Sequence, residues 1–446
     1  MAPIDLTSVE PFEICSIRPP TENCSLTFRL TRNCGWNRCL FCPVYKYGAQ
    51  FSRRSIEEVK RDVDRAKVIN DLLIEYGIGT GYSAHTSYQE AAILIEKIRT
   101  ANMEEKESDQ TITVPDHNRP LQSDPPSPSP MDVENEEDER LVWFASWFKD
   151  KPTIEDSVYH ILNWQLGGGQ ACFLGDSNSL LLSPDFFAEA IKYIKDTFPT
   201  LNRFTIYGRT KSAAKKDLKD LRAFKEAGLH RIHFGLESGN DTVLQFMKKG
   251  VTATEHIQGC LKVKEAGLSC CVYVMPGLGG AKWSEEHAID TAKVLTAIAP
   301  DYIRLRSLEI FPKTGLSAAV QRGDFIEAPE EQVIKEIRII VERIEAECEI
   351  VSDSASNLLD VNGTLPLDRR KMLEVIDDYL SLTPKEKLAF SLASRLRSFI
   401  GQYGGLTQDI LHAVAPYVTG HKVDISGAPN HEVANKIKLI RSKLMP

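Results

Sequence analysis

Residues 32–43 read Arg32-Asn33-Cys34-Gly35-Trp36-Asn37-Arg38-Cys39-Leu40-Phe41-Cys42-Pro43. They follow an apolar stretch, Leu26–Thr31, with the character of a strand, so the three cysteines fall on a loop at a strand's C-terminal end. The spacing C-x4-C-x2-C puts three thiols within nine residues, close enough for one loop to turn them onto a single metal centre. Iron–sulfur clusters are held by cysteine thiolates. Three protein ligands leave one iron of a four-iron cluster open, and an open iron can bind a small molecule. The competing reading is a structural zinc or a closed electron-transfer cluster. Zinc takes four ligands in a closed site, and Cys24, ten residues upstream of Cys34, would complete such a set.

Downstream of this loop, short apolar strands alternate with amphipathic helices. The strands are expected at Ala171–Gly175, Arg203–Tyr207, Arg231–Glu237, Cys270–Met275 and Tyr302–Leu308. Ser183-Pro184 is a cap followed by a first-turn proline, and Phe187, Ala190, Ile191 and Ile194 follow at helical spacing. Leu218, Leu221 and Phe224 mark the next helix, ended by Gly228. Thr252 and Glu255 form a capping-box pattern before another, closed by Gly267. Six strand–helix units in a row imply an α/β fold with a parallel sheet, either doubly wound or curled into a barrel. Segments 1–24, 25–327 and 328–446 read as an N-terminal segment, the barrel and a mainly helical C-terminal extension.

One stretch stands apart. Residues 103–140 are rich in acid, proline and serine and nearly lack large apolar side chains. Such a segment cannot bury enough surface to offset its ordering entropy, so it reads as a disordered insert.

The whole chain has 446 residues, 42% hydrophobic and 26% charged, with a formal net charge of -8. The acidic balance argues against nucleic acid as a partner. No secretory leader is recognisable, and no apolar run approaches the roughly 18 residues of a membrane span. A cytoplasmic protein with no membrane association is therefore expected, its ten cysteines serving as ligands or core fillers. Cys270 and Cys271 are adjacent in a strand and point to opposite faces; Cys172 and Cys260 read as core.

The cysteine loop after the first strand, with an aromatic residue just before the last cysteine, resembles the radical S-adenosylmethionine (SAM) superfamily. The commonest spacing there is C-x3-C-x2-C, one residue shorter. The resemblance implies a partial (β/α)6 TIM-like barrel, a [4Fe-4S] cluster on Cys34, Cys39 and Cys42, and SAM bound at the open iron. It implies that Phe41 contacts adenine, and that Gly175-Asp176 stands where the family holds the SAM amino group. Ala227–Asn240 is similar to the fourth-strand motif of the branch with methylthiotransferases and oxygen-independent coproporphyrinogen oxidases. There Ile232, Phe234 and Leu236 face the helices, while Arg231, His233, Gly235 and Glu237 point inward, with Glu237 and Ser238 set for the ribose and methionine end. Val274–Gly280 resembles the glycine-rich segment near adenine, which makes Met275 and Gly277 candidates. Arg209 joins the cofactor set. Tyr207, His233, Arg304 and Arg306 are the expected substrate contacts, since a buried arginine needs a carboxylate or phosphate partner. The Asp353–Pro366 stretch resembles a tail motif of this branch, with Ser354 where that motif has a histidine; the resemblance implies that Ser356 and Asn357 close the barrel mouth, and a simple turn is the competing reading.

The expected activity is reductive cleavage of SAM and radical chemistry on a small molecule, with electrons from a flavodoxin- or ferredoxin-like donor. The alternatives are a metal-binding or electron-transfer protein without SAM turnover, and a tRNA-modifying enzyme of the same superfamily. The latter normally carries an extra cluster and a basic RNA-binding domain, and neither is recognisable here.

Overall fold

The computed structural model describes residues 4–15, 17–46, 50–79, 84–108, 152–419 and 422–445. Eight strands form one sheet in sequence order: β1 (Leu26–Arg29), β2 (Ala171–Gly175), β3 (Arg203–Gly208), β4 (Leu229–Glu237), β5 (Ser269–Val274), β6 (Tyr302–Leu305), β7 (Cys348–Val351) and β8 (Gly363–Leu365). β1 to β7 pair in parallel, and β8 runs antiparallel to β7. An order that never reverses sends every right-handed crossover to the same face. The helices therefore cover one face, and the sheet curls around the other as a partial TIM-like barrel.

Side-chain alternation follows that geometry. Ile232, Phe234 and Leu236 of β4 are fully buried in the main apolar core, with Ile206, Val272 and Ile303 of its neighbours. The helix at Pro184–Thr197 is capped by Ser183, whose Oγ accepts from Phe186 N at 3.3 Å. It buries Phe187, Ala190, Ile191 and Ile194 against this core, at about 2 kcal/mol for each large side chain. Thr252 and Glu255 form the expected capping box on the helix at Ala253–Glu265. Cys172, Cys260 and Cys270 are core residues.

Three differences from the sequence expectation have physical causes. Strand Leu26–Thr31 stops at Arg29, because Thr31–Arg32 turns away to pair with Ser52–Arg53. The sixth strand ends at Leu305 instead of Leu308, because the Asn357 side chain takes Leu305 O and Ser307 N. Past residue 328 the chain is not simply helical: β7 and β8 extend the sheet before the helices at 369–381 and 384–403. β7 is four residues long, with Glu349 exposed, and lacks a recognisable apolar run. Met103–Ser108 close a helix that begins at Ala84; residues 109–140 of the expected insert lie outside the described residues. A separate apolar cluster, with Leu392, Phe399, Ile410, Val433 and Ile440, forms the core of the C-terminal helices. Among the described residues no helix is long and apolar enough to cross a membrane.

Candidate active site

A cleft opens at the C-terminal ends of β3 to β6, with about 1150 Å3 of empty space, open solvent included. Cys34, Cys39 and Cys42 all line it, together with Phe41, Tyr207, Arg209, Glu237, Met275 and Arg306. The loop that the spacing singled out is thus brought to a strand-end cleft, with six other expected residues around it.

The loop is fastened from several sides. Asp176 Oδ2 accepts from Asn33 N and from Arg29 Nη2, both at 2.7 Å. Leu40 N donates to Met247 O at 3.0 Å, and Leu316 N to Leu40 O at 2.9 Å. The Trp36 indole donates to Lys248 O at 2.8 Å, and its ring carries the Arg209 guanidinium 4.8 Å from its centroid. Gly250, at φ +70°, lets the Trp36 ring lie where a Cβ would stand 2.1 Å from it.

Burial pushes the Cys39 thiol up, with Lys249 pulling the other way. Burial and then Cys39 push Cys42 up to about 11, against the Val44 amide and Lys46. Such thiols give up their protons to a bound cation. Among the described residues no three His, Cys, Asp or Glu side chains are gathered to hold a single metal ion; a four-iron cluster is held corner by corner. All three cysteines are free. The donor set, three thiols on one cleft, fits a [4Fe-4S] cluster with an open iron.

Opposite the loop, Glu237 ends β4 in the left-handed region at φ +67°, a conformation that costs a non-glycine residue about 1 kcal/mol or more and collects at functional sites. Its carboxylate pairs with Lys249 Nζ at 2.9 Å. Burial pulls the Lys249 ammonium down, but Glu237 and Cys39 outweigh it, so the amine stays charged. Sequence reasoning missed Lys249: Lys248-Lys249-Gly250 reads as an exposed turn, and nothing local marks one of two lysines as buried.

The remaining expected residues lie outside the cleft lining. Asp176 is committed to Arg29 and to the loop backbone. Gly175 accepts from Leu30 N at 2.6 Å, and a Cβ there would stand 2.0 Å from Cys15 Sγ. Ser238 Oγ meets His287 Nδ1 at 2.8 Å, and Gly277 N donates to Glu336 at 2.6 Å. His233 is fully buried below the cleft. Its Nε2 is 3.9 Å from Glu22, and burial with Arg231, Arg304 and Arg203 keeps the ring neutral. Arg304, an expected substrate contact, pairs with Asp353 at 2.7 Å. That partner lies 49 residues downstream, beyond the reach of local pattern.

The parallel sheet thus runs from its first strand into a three-thiol loop at its C-terminal rim. Residues 143–292, about a third of the chain, match the family described as the radical SAM superfamily. The match starts downstream of the cysteine loop, which joins the matched region through the β1–β2 pairing. The chain is similar to the heme chaperone HemW of Bacillus subtilis, 26% identical over 41% of this chain and 45% of the relative. It is also similar to an uncharacterized methyltransferase of Pyrococcus horikoshii, 30% identical over 22% of this chain and 21% of the relative. The chain therefore spans less than half the length of either. Among solved structures, the archaeal Elp3 of Methanocaldococcus infernus matches at TM-score 0.38 and 16% identity, over 52% of this chain and 58% of that one. Coproporphyrinogen III oxidase HemN of Escherichia coli matches at 0.30 and 13%, over 61% and 78%.

Proposed function

We propose that this protein is a radical SAM enzyme that cleaves S-adenosylmethionine reductively and starts radical chemistry on a small-molecule substrate. The observation that carries the reading is the opening of three free thiols onto the cleft that also holds the Glu237–Lys249 pair. Cys34, Cys39 and Cys42 would hold a [4Fe-4S] cluster there, and bound it would supply the one-electron chemistry for breaking a sulfonium bond, which side chains cannot.

The chain's own residues bind and orient. Phe41 and Met275 offer an apolar wall for the adenine. Glu237, fixed by Lys249, accepts from ribose hydroxyls. Arg209, stacked on Trp36, meets a carboxylate. Tyr207 and Arg306 face the substrate. Gly175, Asp176, Ser238 and Gly277 act indirectly, by holding the loops that bear these groups, and His233 supports the lumen beneath. A flavodoxin- or ferredoxin-like protein supplies the electron.

The test is anaerobic reconstitution followed by iron and sulfide analysis. The expected content is about four of each per chain, lost when any of Cys34, Cys39 or Cys42 becomes alanine. Stoichiometric zinc, with no sulfide, would contradict the reading.

A further inference from the structure

One wall of the cleft is the segment that leaves β6. Arg306, Ser307, Leu308, Glu309 and Phe311 all line the cleft. Two backbone bonds, Arg306 N to Val274 O and Leu308 N to Pro276 O, tie the start of this segment to the neighbouring strand. Its further support comes from residues late in the chain. Asn357 Oδ1 accepts from Ser307 N at 2.9 Å and from its hydroxyl at 3.0 Å. Arg395, 2% exposed, donates to the carbonyls of Ala355, Ser356 and Asn357 and pairs with Glu330 at 2.8 Å.

The last helix, Asn430–Arg441, reaches the far end of the wall. Arg441 Nε stands 3.1 Å from Glu309 and its Nη2 3.2 Å from Glu327. Met445 packs on Val44 and Phe311, in a small apolar cluster that includes Cys42 and Tyr45. Two hydrogen bonds with Gln402, at 2.8 and 2.9 Å, fix Met445 in turn. One end of the C-terminal unit thus touches both the cleft wall and the loop of the third cysteine.

We propose that the C-terminal unit buttresses a wall of the reaction cleft from behind, with Arg441 and Met445 as positioning residues that hold the Glu309–Phe311 stretch against the Cys42 loop. The Glu309 side chain is 11% exposed and that of Arg441 22%, so this pair is better shielded from solvent than an ordinary surface ion pair. Without the guanidinium the Glu309 carboxylate turns outward to water, the wall swings with it, and Phe311 and Met445 part. The inference rests on the reading of the cleft as the reaction site, but its test requires neither cluster nor SAM.

The test labels the cluster-free full chain with iodoacetamide at fixed pH and follows each cysteine by peptide mass spectrometry. Cys172 and Cys260, fully buried in the barrel core, report global opening. In Arg441→Gln and in Met445→Ala, Cys42 is expected to label about fivefold faster, a local opening, with Cys172 and Cys260 unchanged. Glu309→Gln, which removes the same ion pair from the other side, should do likewise, and Arg441→Lys should restore most of the protection. An unchanged Cys42 rate in all three variants would overturn the proposal. So would equal acceleration at Cys42, Cys172 and Cys260, which would make the contact one of overall stability.

Discussion

Lys249 carries more of this site than its sequence context suggests. Its ammonium stands 2.9 Å from Glu237, with both side chains under 15% exposed at 13% and 12%. Lys249→Met would leave that carboxylate buried without its partner, and a loss of about 3 kcal/mol is expected, read from urea unfolding. An unchanged midpoint would show that water reaches Glu237. Glu336 makes a second prediction at this scale. Burial, against donation from Ser284 and Gly277, pushes its carboxyl from 4.5 up to about 7. The folded chain then keeps a proton that the unfolded chain has released, so stability falls as pH rises from 4.5 through about 7. The contribution is present in full below 4.5 and amounts to about 3 kcal/mol at most. Glu336→Gln should flatten that slope, and an identical slope in variant and parent would contradict the assignment.

At the scale of elements, the cysteine loop depends on the turn after the short helix at Asp241–Phe246, through Trp36, Leu40 and the glycine at 250. Gly250→Ala places a Cβ on the indole and strains a positive φ. A loss of about 2 kcal/mol is expected, with a shift in tryptophan emission as Trp36 moves; a parental spectrum and Tm would show that the loop is held elsewhere. The elements legible in the sequence share this local character. Ser183-Pro184 and Thr252–Glu255 announced their helices because a cap acts within one turn, and Ile232, Phe234 and Leu236 announced β4 because alternation fixes a face. β7 and β8 are too short to show a period. Lys249 and the Arg304–Asp353 pair were hidden for a related reason: their partners are chosen by the tertiary fold.

At the scale of the molecule, Arg395 joins the C-terminal helices to the barrel. It is almost fully buried, pairs with Glu330 and caps three carbonyls. Arg395→Met leaves those acceptors unpaired, so a loss of about 3 kcal/mol is expected, with earlier proteolysis of the C-terminal helices than of the sheet. Uniform digestion would show that the two parts unfold as one. The barrel and the three-cysteine loop were readable because one is a repeated pattern and the other a contiguous motif. The support that Asn357 and Arg441 give to the cleft wall was not, since it exists only once the chain has returned to the cleft.

The cleft is proposed to cleave SAM at a cluster on Cys34, Cys39 and Cys42. The most direct test incubates the anaerobically reconstituted protein with dithionite and SAM and identifies the nucleoside by mass spectrometry. The expected products are 5'-deoxyadenosine and methionine, absent from each cysteine-to-alanine variant. Methylthioadenosine, made only with the cysteines intact, would move the broken bond to the aminocarboxypropyl side. Intact SAM beside a fully loaded cluster would contradict the account.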